Sequence, residues 1–135
     1  MYYRLDSMEG LAAELGLRTR RVDADRLDVT LWDDCTLTFA NMRDEEDSLV
    51  GFDGTPWHSH GEVEFLTSPA SSVTYDELDL LIAIAAGELV IITEYAQGVV
   101  RDRLLAHKAA PLDVSYVRPG DEVRVLAVTA SPREP

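Results

Sequence analysis

The sequence predicts an α+β fold: a mainly antiparallel sheet, one main buried helix over about residues 75–87 and a short N-terminal helix over about residues 7–15. Three observations carry this. Two segments place apolar residues at helical spacing. Short runs of alternating or β-branched residues lie between and after them. Turn-forming sequences join these runs, where parallel strands would need long crossovers. The 135 residues are read as one domain, long enough for a single hydrophobic core, with residues 131–135 as a frayed tail.

The elements follow in order. Asp6 and Glu9 mark a helix start, Met8, Leu11, Ala12 and Leu15 follow at helical spacing, and Gly16 stands where the helix stops. Leu27, Val29 and Leu31 alternate, Asp33-Asp34 can turn, and Cys35, Leu37 and Phe39 alternate again, which reads as a hairpin. Residues 41–48 form an acidic loop and 49–52 a short strand. Asp53-Gly54 turns the chain, with Pro56 confining the loop, into a strand over residues 57–65. Residues 68–72 read as a surface loop. Thr74 and Glu77 then make a capping box for a helix whose stripe is Leu78, Leu81, Ile82 and Ala85, widened by Leu80 and Ile84 and stopped at Gly87. Leu89 to Tyr95 is an inner strand, and Gln97-Gly98 turns it into Val99 to Ala106. A C-terminal hairpin joins residues 112–117 to 122–129 through Arg118-Pro119-Gly120-Asp121.

Composition limits function. The net charge is −13, from 12 basic and 25 acidic residues. A field of that sign repels phosphate, so neither nucleic acid nor an anionic membrane is an expected partner. A basic protein surface or a cation is. No apolar run reaches the roughly 18 residues of a membrane span, and the first residues lack a basic-then-apolar leader pattern. The lone Cys35 excludes an internal disulfide framework and a multi-cysteine zinc site. The cytoplasm is the expected compartment. No nucleophile elbow, phosphate-binding loop or dinucleotide fingerprint is present.

The segment Trp57-His58-Ser59-His60-Gly61-Glu62-Val63-Glu64 concentrates the candidate chemistry. On a strand, His58, His60, Glu62 and Glu64 share one face, and Trp57, Val63 and Phe65 share the other. Two imidazoles two residues apart can ligate one divalent ion such as zinc, and a carboxylate completes the set. Glu62 is then a substitute ligand, a residue that orients one of the ligands, or a general base acting on metal-bound water. The plainer reading is a polar strand face that meets solvent.

Two family resemblances start from these residues. The spacing His58-x-His60-x3-Glu64 resembles the first half of the cupin motif, which implies those three as metal ligands. The succession His58-Ser59-His60, then Ser68 to Ser72, Asp76 and a helix is similar to the JAMM (JAB/MPN) metalloproteases. That resemblance implies zinc on His58 and His60, with Asp76 as third ligand. Gly61 stands where that family carries proline.

Other candidates are weighed against ordinary structural roles. Asp44-Glu45-Glu46-Asp47 is a docking surface for a basic partner or simply a solvated charge run, and it lacks the pattern of a helix–loop–helix calcium site. Cys35 alternates with apolar residues, which reads as a buried thiol. His107, beside Lys108 at a strand end, reads as exposed. Trp32, Trp57 and Tyr95 could line a pocket near the histidines or belong to the core. Two functions follow: a small acidic protein that binds a basic partner, in the manner of an inhibitor or immunity protein, or a divalent-metal protein or hydrolase built on His58 and His60. Oligomeric state is not legible.

Overall fold

The computed structural model describes residues 1–110 and 117–128. The fold is α+β and its strands pair antiparallel. Helix α1 spans Leu5–Leu15 and buries Leu5, Met8 and Ala12. It starts two residues before the expected position. Arg4 is its N-cap, and no side chain caps it, so Asp6 and Glu9 do not act as a capping pair. They instead receive the Arg21 guanidinium at 2.7 and 2.6 Å. Burial explains the early start: Tyr3 and Leu5 both enter the core and draw the chain inward ahead of the polar residues. The helix ends at Gly16 in the left-handed conformation, as expected.

Five strands follow, each hydrogen-bonded to the next: β1 (Arg18–Asp23), β2 (Arg26–Trp32), β3 (Cys35–Met42), β4 (Asp47–Phe52) and β5 (His58–Ser59). The β2–β3 hairpin forms as predicted, with Leu27 opposite Phe39 and Val29 opposite Leu37, all four buried. Strand β1 is not legible as a strand, because Arg-Thr-Arg-Arg-Val-Asp has no apolar alternation. It is an exposed edge held by its register on β2. The acidic loop is shorter than expected. Asn41 and Met42 complete β3, Asp47 and Ser48 open β4, and a single 3-10 turn, Arg43–Glu45, joins them.

Strands β6 (Val63–Ser68) and β7 (Ser71–Tyr75) form a separate hairpin. The expected loop over 68–72 therefore contracts to a turn at Pro69-Ala70, and Thr74 lies in a strand. Thr74 does not cap the next helix. Asp76 does, accepting from Asp79 N at 2.8 Å, while Asp79 Oδ2 accepts from Asp76 N at 3.2 Å. Helix α2 (Glu77–Ala85) buries Glu77, Leu80, Leu81, Ala83 and Ile84, and leaves Ile82 exposed. The buried stripe is thus centred on Leu80, Leu81 and Ile84, and Ile82 points away from it.

The third sheet has the order β10-β8-β9, from β8 (Leu89–Ala96), β9 (Val99–His107) and β10 (Asp121–Leu126). The Arg118–Asp121 turn closes with Asp121 N donating to Arg118 O at 3.0 Å. Of the expected C-terminal hairpin, residues 112–116 and 129 lie outside the described residues, as does the tail. β10 pairs with β8. One buried cluster draws on both helices and all three sheets. Among the described residues no helix is long and apolar enough to cross a membrane.

The N-terminal residues fasten these layers. The Asn41 carboxamide meets Tyr3 as a strand neighbour would, accepting from Tyr3 N at 2.7 Å and donating to Tyr3 O at 3.1 Å. Buried Glu77 accepts from Arg4 N at 3.0 Å and from the Arg4 guanidinium at 2.9 Å. Its charge is therefore matched, as a buried carboxylate requires.

Candidate functional site

The segment from Trp57 to Phe65 is not one strand. Only His58–Ser59 pairs with β4, the chain bends at residues 60–62, and β6 begins at Val63. Gly61 makes the bend with φ +59°, a conformation costly for other residues. Two bonds hold it: Gly61 N donates to Ser48 Oγ at 3.2 Å, and the Tyr3 hydroxyl donates to Gly61 O at 2.9 Å. Burial pushes the Tyr3 phenol up to about 12, opposed by its contact with the Ser48 hydroxyl.

The expected four-residue row is therefore broken. Glu64 belongs to the β6–β7 hairpin, opposite Thr74, and Glu62 lies exposed in the bend. His58 and His60 stay together, with ring centroids 5.3 Å apart and planes at 89°. Asp76 does not join them. Its two oxygens are committed to Asp79 N and to the Arg4 guanidinium at 3.1 Å. The helical amide, first among the causes, holds the Asp76 carboxyl below its ordinary value. The ligand sets implied by both family resemblances are thus dispersed. Among the described residues, no three of His, Cys, Asp and Glu gather closely enough to hold an ion together.

The structure brings His60 instead to the end of the acidic turn. His60 Nδ1 lies 2.9 Å from Ser48 O and 3.1 Å from Asp47 Oδ2. His58 Nδ1 lies 3.0 Å from Pro56 O. A carbonyl oxygen only accepts, so each neutral ring carries its proton on Nδ1 and keeps its Nε2 lone pair free. His107 has the opposite tautomer, because its Nδ1 accepts from Ala109 N at 3.1 Å.

Three residues that the sequence reading did not single out position the pair. Gly51 is opposite His58, and a Cβ there would sit 2.9 Å from Trp57 O and 3.2 Å from His58 Cβ. Asp102, on β9, accepts from Trp57 N at 3.1 Å and so anchors the approach to β5. Ser48 holds both His60 and the bend. Gly51 is the one that pattern reading could find, as a glycine inside a strand run marks a close approach.

The three aromatics do not share a pocket. Trp57 packs on Phe52 at 5.9 Å and lines an open groove of about 290 Å³ with Pro56 and His58. Tyr95 lies under the Arg124 guanidinium at 5.0 Å on the third sheet, and Trp32 packs against the core. Cys35 is fully buried, and desolvation pushes its thiol up to about 11.

Charge is partitioned unevenly. Arg4, Arg18, Arg20, Arg21, Arg26, Arg43, Arg101, Arg103 and Arg124 each lie within 3.5 Å of a carboxylate oxygen. Asp44, Glu45 and Glu46 are exposed and have no such partner among the described residues. Comparison with protein-family models, with curated protein sequences and with solved structures finds no match to this chain.

Proposed function

We propose that this is a small acidic protein whose activity is to bind a basic protein surface, the manner of an inhibitor or immunity protein. The observation that carries the reading is that partition of charge. Nine of the 12 basic side chains are paired with carboxylates within the molecule, so much of the excess of 25 acidic over 12 basic residues is left without an internal partner. Its densest run is Asp44-Glu45-Glu46, on a tight turn between two strands. The 3-10 turn, and Glu46 at φ 53°, hold that run in a defined shape. Preformed charge of one sign steers association and sets register more than it adds raw affinity.

The test pairs two triple variants of the purified protein, using a basic protein that copurifies with it. Asp44→Asn/Glu45→Gln/Glu46→Gln neutralises the turn. Asp53→Asn/Glu64→Gln/Glu88→Gln removes the same charge elsewhere. The turn variant is expected to weaken binding about tenfold more than the control, and 300 mM salt to weaken the wild-type complex about tenfold relative to 50 mM. Equal losses from the two triples, or a complex indifferent to salt, would count against the reading.

A further inference from the structure

We propose that His58 and His60 form a site for one divalent cation of the imidazole-preferring class: copper, nickel or zinc. The inference does not rest on the acidic-turn reading. It rests on tautomers and placement. Carbonyl oxygens of Pro56 and Ser48 take the Nδ1 protons of the two rings, at 3.0 and 2.9 Å, so both Nε2 lone pairs are left for a ligand. Asp47 Oδ2, 3.1 Å from His60 Nδ1, completes the carboxylate–histidine arrangement that orients a ligating imidazole. Both rings are exposed on either side of Ser59, with centroids 5.3 Å apart. The terminal torsion of an imidazole is broad, so the exposed His58 ring can turn toward a shared ion at the expense of its Pro56 contact.

The protein supplies two ligands, and water fills the remaining positions. Glu64 and Asp76 take no part, since one lies in the β6–β7 hairpin and the other caps α2. The set therefore differs from those that the sequence resemblances imply. Affinity for a fixed nitrogen site is highest at copper, which predicts copper as the tightest of the three ions. The surrounding negative charge favours a cation in every case.

The experiment is calorimetric titration of the purified chain with nickel chloride and, separately, zinc chloride, with Trp57 emission followed in parallel as a reporter one residue from His58. The expected result is one saturable site with a dissociation constant below about 100 µM. His58→Ala or His60→Ala should weaken binding at least tenfold, and Asp47→Asn about tenfold. His107→Ala should leave binding within about twofold, as its Nδ1 is already an acceptor. Because His58 and His60 are exposed, melting curves of the variants check that the fold persists. No saturable binding at 1 mM nickel would overturn the proposal. So would loss of binding in the Asp44/Glu45/Glu46 triple with both histidines intact, which would assign the ion to the carboxylates.

Discussion

Gly51 carries much of the site's geometry. It lies inside β4, where β5 crosses so closely that an added methyl would meet the Trp57 carbonyl at 2.9 Å. That neighbour is backbone, itself pinned by Asp102 through the Trp57 amide, so it has little freedom to yield. Gly51→Ala is expected to cost about 1–3 kcal/mol by urea denaturation and to loosen His58 from β4. An unchanged denaturation midpoint would mean that β5 moves aside without loss. Tyr3 reaches the neighbouring bend through its hydroxyl, and Asn41 holds the Tyr3 backbone at both polar atoms. Single side chains distant in sequence thus decide how the histidine segment bends.

At the scale of elements, α2 depends on its N-terminal end. Asp76 and Asp79 satisfy one another's amides, and Asp76 also meets Arg4. Asp76→Ala is expected to cost about 1 kcal/mol through the lost cap, while Asp76→Asn keeps the capping geometry and loses the charge. The Asp76 carboxyl is held below its ordinary value of 3.8 when folded. A depressed folded value means that its contribution is present above the unfolded value and disappears as pH falls through the folded one. The difference in stability between wild type and Asp76→Asn should therefore narrow below about pH 4, measured by denaturation at successive pH values. A constant difference would assign the effect to shape alone. The hairpin β2–β3 and the strand β8 were legible because apolar alternation and β-branched runs report burial directly. β1 and β7 were not. Apart from Val22, Val73 and Tyr75 their residues are Arg, Thr, Ser and Asp, and pairing with a neighbour makes them strands where side-chain pattern does not.

For the whole molecule, a charge of −13 on 135 residues repels itself in the compact state. The arginine pairs offset part of this, but most are exposed, and such pairs are individually worth little. Screening should therefore help the folded state on balance. Raising salt from 20 to 500 mM is expected to raise the thermal midpoint by a few degrees. A fall would show that the ion pairs outweigh the repulsion.

Composition and periodicity alone determine that the chain is α+β, that its strands pair antiparallel and that its surface is acidic, because each of these depends on the average of many residues. Where the chain bends between His60 and Val63 depends on contacts across long sequence separations. Tyr3 meets Gly61, Ser48 meets Gly61 and His60, and Asp102 meets Trp57. No local pattern encodes those meetings. They exist only once the core has brought β4, β9 and the N-terminal residues beside the histidines, and they separate Glu64 from the imidazoles while bringing Asp47 to His60.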